Sequence, residues 1–190
     1  VVALAGRQHD FSGKRLLVMG GSLGAHALNV HVCRHLDALR AAGIEVRHQT
    51  GVRDEAVTRE AYAAAGYDPA CVSAFIDDMA SAYAWADLVL CRAGATTVAE
   101  LCAAGLPSVL VPFPYAVHDH QTRNAQALVA EGAALMLPEG RMESDGLMAQ
   151  VTDLLQDTGR LRTMAAAASG CARVRAAELV AAELETVCAR

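Results

Sequence analysis

Aromatic residues make up only 4% of this 190-residue sequence, and Lys14 is its one lysine. With so few aromatics, the core has to be assembled from Ala, Val and Leu within a 54% hydrophobic composition, which suits helices packed closely on a sheet. The formal charge is −5 and there is no basic block, so the footprint of a nucleic-acid binder is missing. No apolar run approaches the roughly 18 residues of a membrane span, and no signal-peptide pattern opens the chain. A soluble intracellular domain is therefore expected. The six cysteines, at 33, 71, 91, 102, 171 and 188, include no CxxC and no regular spacing. They read as reduced, mostly buried thiols. The length suits one substantial domain and is short for two.

What is present is a repeated alternation. Residues 1–13 lack periodicity and read as an incoming linker, as if the chain began partway through a longer protein. Lys14–Met19 reads as a strand, followed by a glycine-rich turn at Gly20–Ala25 and a helix to about Ala42. Glu45–Gln49 is a second strand. Asp54 is placed to cap a helix through Ala65, and Cys71–Ala74 is a third strand. A short helix ends near Trp85. Strands follow at Leu88–Cys91 and Ser108–Val111, separated by a helix that Gly105 and Pro107 stop. Asp119 is placed to cap a helix over Gln121–Glu131, before a sixth strand at Ala134–Leu137. Helices are expected at Asp145–Gln156, Arg160–Ala168 and Ala172–Ala189. Six strands alternating with helices predict an α/β fold, a Rossmann-like doubly wound parallel sheet.

In such a sheet ligands gather at the carboxyl ends of strands. Two loops there are suited to an anion. Gly20, Gly21, Ser22 and Gly24 lie between a strand and a helix start, where free N–H groups carry partial positive charge. The spacing is not G-x-G-x-x-G and the second strand ends in His48-Gln49 without an acidic residue, so a dinucleotide is disfavoured. A tight strand-to-helix turn without a ligand reads equally well for this loop. The second is Arg92–Glu100, where Gly94 keeps the approach open and Thr96 and Thr97 offer hydroxyls. Glu100 has two readings. Thr97-Val98-Ala99-Glu100 fits a capping box; alternatively, its carboxylate accepts from the two hydroxyls of a ribose. Asp77 or Asp78 reads as a helix cap. His118-Asp119-His120 reads as a polar loop and not as a metal site. Arg92 could meet a phosphate.

Taken together, five runs carry a resemblance. They are Gly20-Gly21-Ser22-Leu23-Gly24-Ala25, His48-Gln49-Thr50-Gly51, Phe75-Ile76-Asp77-Asp78-Met79, Cys91–Glu100 and Asp119–Ala125. In order and spacing they resemble the peptidoglycan N-acetylglucosaminyltransferases of the MurG family, over essentially the whole chain but only the C-terminal half of those enzymes. The resemblance implies one domain of a two-domain GT-B fold. Residues 14–168 would bind the donor, UDP-N-acetylglucosamine, and residues 169–190 would form a C-terminal helix packed on the domain or returning toward the other half. Ile76 would meet the uracil through its backbone and Glu100 the ribose. Ser22 and Thr97 would hold the pyrophosphate with Thr96 beside it, and Gln121, His120 and Asn124 would reach the sugar. No cofactor and no metal are implied. The lipid I acceptor, the inner-membrane surface and the catalytic base would belong to the other half, so this half alone would bind donor and turn over little. A UDP-sugar 2-epimerase of the same architecture and a non-catalytic nucleotide-binding module are the alternatives.

Overall fold

In a computed structural model the described residues are 4, 9–20 and 25–173. The strands are β1 (Arg15–Met19), β2 (Glu45–Gln49), β3 (Val72–Ser73), β4 (Leu88–Cys91), β5 (Ser108–Leu110) and β6 (Ala134–Met136). They form one parallel sheet in the order β3-β2-β1-β4-β5-β6. The helices are α1 (His26–Arg34), α2 (Leu36–Ala41), α3 (Glu55–Ala64), α4 (Met79–Trp85), α5 (Ala95–Ala104), α6 (His120–Ala130), α7 (Leu147–Gln156) and α8 (Thr158–Gly170). Among the described residues no helix is long and apolar enough to cross a membrane.

The central strands β1, β4 and β5 are buried on both faces, which is why they read as apolar runs, whereas β2 alternates buried and exposed residues over 45–48. Leu16, Val18, Leu88 and Leu90 point to one layer with Leu28, Leu36, Tyr62, Val151 and Leu161. Leu17, Met19, Val89 and Cys91 point to the other with Tyr83, Leu101, Ala125 and Leu128. Side chains here are mostly aliphatic, and each fully buried Leu contributes about 1.5–3 kcal/mol. Phe11, within the expected linker, is buried in the first layer.

Several local expectations meet the structure with a change. The helix expected to run to Ala42 is broken at His35. Its ring Nδ1 donates to the His31 carbonyl at 2.8 Å, the acceptor an unbroken helix would assign to the His35 N–H, and that N–H goes to Val32 O instead. Asp54 stands at the start of α3 but caps nothing. Its carboxylate accepts from Asn29 Nδ2 at 2.9 Å and contacts His26 Nδ1 at 3.0 Å, partners that the helix N–H groups do not displace. Asp119 likewise makes no cap bond; it accepts the Thr122 hydroxyl at 2.6 Å. Asp78 does cap, accepting from Ser81 N–H at 3.0 Å. Gly105 ends α5 with φ +63°, and Leu106 N–H bonds Leu101 O at 3.0 Å, the closing bond of a Schellman turn. The helix expected over Ala172–Ala189 lies almost wholly outside the described residues.

Beneath the α1 layer runs a buried polar chain. His48 Nε2 lies 3.0 Å from Asn29 Oδ1 and Nδ1 lies 3.0 Å from the Tyr62 hydroxyl. Asn29 spends its amide N–H groups on Thr50 O and Asp54, so its oxygen must accept from His48. The ring is thereby held neutral with the proton on Nε2. Burial pushes the His48 pKa down to about 3. In the unfolded chain it returns to about 6.5. Between these values the unfolded state binds the extra proton, so stability is fully present above about pH 7 and is lost as pH falls. Between pH 7 and pH 5 the loss from this group is about 2 kcal/mol. Urea unfolding at the two pH values should show that drop in the wild type and a clearly smaller one in His48→Gln.

Candidate functional site

From β1 the chain winds outward in one direction to β3; from β4 it winds in the other direction to β6. The crevice between the carboxyl ends of β1 and β4 is thus the switch point of the sheet, where adjacent loops part and leave a cleft. Met19 and Cys91 pair there. A cleft of about 420 Å³ opens at this position, lined among others by Gly20, Ile76, Tyr83, Gly94, Glu100 and Gln121. A larger hollow of about 840 Å³ lies beside the β2–β3 edge. Among its polar side chains Asp78 and Ser81 are bonded to each other, Asp68 accepts from Ala70 N–H, Arg40 donates to Ala65 O and Arg47 lies over the Trp85 ring.

The start of α5 forms one wall. Gly94 precedes the helix with φ −64° and ψ 148°, and the first intrahelical bond runs from Val98 N–H to Gly94 O at 2.9 Å. The N–H groups of Ala95, Thr96 and Thr97 therefore have no intrahelical acceptor, and the helix dipole adds partial positive charge. Thr97 lines the cleft beside them. This is a place suited to an anion.

Glu100 is not a cap. With Gly94 at the cap position, Thr97 is already inside α5 and the capping box does not form. The Glu100 carboxylate lies on the cleft wall. Its Oε2 accepts a 2.9 Å hydrogen bond from Tyr83, a side chain with no exposed surface on α4. Burial, reinforced by Cys91 and Glu100, drives the Tyr83 hydroxyl far above its ordinary pKa. It stays a donor at any working pH and orients the carboxylate, leaving the second oxygen for a ligand.

Arg92 behaves differently from a phosphate-binding arginine. It is only 9% exposed, donates to the carbonyls of Val111 and Pro112 and pairs with Glu139. Its work is to brace the loop after β5, with Phe113 stacked 5.5 Å from the guanidinium. Gln121 accepts from Phe113 N–H at 2.9 Å and keeps its amide NH2 for the cleft.

Of the residues singled out by sequence, Gly20, Ile76, Arg92, Gly94, Thr97, Glu100 and Gln121 meet in this cleft. Thr96 and Asn124 line a neighbouring groove between α5, α6 and the end of α8, which Glu100 also borders. Asn124 donates to Ala93 O at 3.0 Å and so tethers α6 to the Gly94 loop. His120 lines neither; its Nδ1 donates to Val117 O at 2.8 Å. His118 and Asp119 just before it both have positive φ, 52° and 53°, a conformation that non-glycine residues adopt at a cost. Gly21, Ser22 and Gly24 lie outside the described residues. Tyr83, Gln49, Met79 and Phe113 also line the cleft, and sequence reasoning missed them as site residues. Tyr83 carried no signal beyond an apolar helix position, since its partner lies on another element. Burial pushes the Cys91 thiol up to about 12 and the Cys102 thiol to about 11, which keeps both unreactive.

Sheet order and cleft together define a Rossmann-like α/β domain of the kind found in GT-B glycosyltransferases. Residues 15–180 match the family model of the glycosyltransferase family 28 C-terminal domain, and the chain belongs to that family. It is 56% identical over 167 residues to a protein of Nitratidesulfovibrio vulgaris (strain DP4) named UDP-N-acetylglucosamine–N-acetylmuramyl-(pentapeptide) pyrophosphoryl-undecaprenol N-acetylglucosamine transferase, covering 88% of this chain and 46% of that protein. A protein of the same name from Lawsonia intracellularis is 51% identical, with 91% and 48% covered. The crystal structure of Acinetobacter baumannii MurG superimposes with a TM-score of 0.81 at 34% identity, over 96% of this chain and 55% of that one. The calicheamicin glycosyltransferase CalG4 gives 0.64 at 26% identity, over 93% and 45%. The chain spans about half the length of the curated relatives it matches.

Proposed function

We propose that this chain is the donor-binding half of an inverting N-acetylglucosaminyltransferase of peptidoglycan synthesis, and that the β1–β4 cleft takes UDP-N-acetylglucosamine. The observation that carries the reading is the pairing of an open helix start at Gly94–Thr97 with an oriented carboxylate one turn further on at Glu100. The pyrophosphate lies against the N–H groups of Ala95, Thr96 and Thr97 and the Thr97 hydroxyl, with Ser22 completing the contact from the β1 loop. The ribose hydroxyls donate to the free oxygen of Glu100. Uracil sits against the backbone at Ile76. The sugar reaches toward Gln121, with His120 and Asn124 as its outer contacts.

The chemistry follows from these groups. As the glycosidic bond breaks, the departing UDP gains negative charge, and fixed N–H dipoles stabilise it without reorganisation. No cofactor is called on. The acceptor is the 4-OH of the MurNAc in lipid I, the product is lipid II, and the base that takes the hydroxyl proton comes from the other half. Residues 14–168 form the donor-binding unit, and the full-length enzyme works on the cytoplasmic face of the inner membrane through surfaces of that other half. Support comes from the family match and from relatives whose names state this transfer.

Calorimetric titration tests the reading. UDP should bind, UDP-N-acetylglucosamine should bind in preference to UDP-glucose, and NAD should not bind. Transfer to a lipid I analogue by this chain alone should be negligible; full-rate transfer would overturn the division of labour. Gly94→Ala gives a sharper check on the phosphate position. A Cβ there would meet only Thr97 Oγ1, at an ordinary 3.7 Å, so folding should be unaffected. The added methyl intrudes where the pyrophosphate must approach, and UDP affinity should fall roughly tenfold.

A further inference from the structure

Outside the cleft lining, two histidines and a glutamate converge. His31 ends a turn of α1, His35 follows it at the break before α2, and their ring centroids are 4.6 Å apart. Glu143, in the loop between β6 and α7, brings Oε2 to 3.4 Å from His31 Nδ1. One donor atom from each of the three lies within 4.8 Å of the other two.

His31 is 4% exposed, and the ring nitrogen that faces Glu143 is Nδ1. Its contact with Glu143 is longer than a good hydrogen bond. His35 is already arranged as a ligand would be. Its Nδ1–H donates to the His31 carbonyl at 2.8 Å, which in the neutral ring leaves the lone pair on Nε2. This is the usual outer-shell bond of a metal-bound histidine. The 3.4 Å separation of His31 Nδ1 and Glu143 Oε2 is also close to the edge of a tetrahedron around zinc, about 3.3 Å for bonds of about 2.0–2.1 Å.

We propose that His31, His35 and Glu143 form a binding site for a divalent transition metal, with zinc as the best fit. Two imidazole nitrogens and one carboxylate suit zinc and its neighbours and not the oxygen-seeking magnesium or calcium. Three protein ligands leave a fourth position for water, on the side where Glu143 is 74% exposed. The metal pins the β6–α7 loop to α1. That loop also carries Glu139, the partner of Arg92, so the site stiffens the brace behind the cleft without touching the ligand.

The test uses the chain freed of purification tags and stripped with chelator. Zinc is titrated against a chromophoric chelator, and Co2+ serves as a spectroscopic probe. One equivalent should bind with micromolar or tighter affinity, and Co2+ should give the visible bands of a four-coordinate site without a thiolate charge-transfer band. His35→Gln and Glu143→Gln, both at accessible positions, should each weaken binding at least tenfold while the fold is retained. His118→Gln should leave binding unchanged. Absence of stoichiometric binding, binding indifferent to His35→Gln and Glu143→Gln, or a thiolate band would overturn the proposal.

Discussion

Glu100→Gln should weaken UDP binding roughly a hundredfold while leaving urea stability within about 0.5 kcal/mol of wild type. The substitution keeps shape and leaves one carbonyl oxygen, which the 2.9 Å hydrogen bond from Tyr83 takes up. What it removes is the second acceptor oxygen and the negative charge. Hydrogen bonds to a charged group are worth about 1.5–3 kcal/mol each, and two ribose hydroxyls depend on this one carboxylate. Glu100→Ala removes the same contacts but also strands the buried Tyr83 hydroxyl, so a stability loss of about 1–3 kcal/mol should accompany it. The pair separates the roles: if Glu100 only stabilised the helix, both variants would lose stability with affinity intact. Unchanged UDP affinity in Glu100→Gln, measured by calorimetry, would remove the ribose contact from the proposed function.

Asp87→Ala should destabilise the fold by about 3 kcal/mol and leave UDP affinity unchanged. Asp87 is completely buried just before β4. Its Oδ2 accepts from the Arg15 N–H at 2.9 Å and from Nε at 3.2 Å, and Oδ1 accepts from the guanidinium at 2.9 Å. The Asp87 N–H answers with a 2.8 Å bond to Arg15 O. These bonds fasten the start of β1 to the start of β4, the two strands whose far ends form the cleft. Removing one member of a buried pair costs about 3–5 kcal/mol because its partner is left uncompensated. The Arg15 side chain is 27% exposed and can partly rehydrate, which puts the expectation at the low end. Asp10, the second partner of Arg15, is 70% exposed and contributes little. Denaturant unfolding reads the first effect and calorimetry the second; a loss under 1 kcal/mol would mean that backbone pairing alone holds the two strands in register.

Much of this protein was legible from short stretches of residues. The bounds of β2 and β4 and the end of α4 are legible from a few residues each, because strand and helix periodicity are local properties. Gly105 ends α5 and Asp78 begins α4 for reasons contained within a few residues. The positions of Gly94, Thr97 and Glu100 at the end of one strand already pointed to an anion, with Glu100 open between a cap and a ribose contact. Where local rules failed, a side chain had a better partner elsewhere. Asp54 is drawn from its helix to Asn29 and His26, His35 breaks a helix by bonding the carbonyl one turn back, and Arg92, on the cleft wall, spends its guanidinium on Glu139 and two backbone carbonyls.

Sequence pattern alone therefore settles the alternation of strands and helices, the parallel sheet and the loops at the carboxyl ends of its strands, since each depends on neighbours within about a dozen residues. Tertiary structure decides the order of the strands and so the place of the switch point. It decides that Glu100 is oriented by Tyr83 instead of closing a capping box, and that His31 and His35 meet Glu143. Each of these depends on which side chains folding brings together from distant elements, and hydrogen bonds and charges act over a few ångströms of space whatever the separation along the chain.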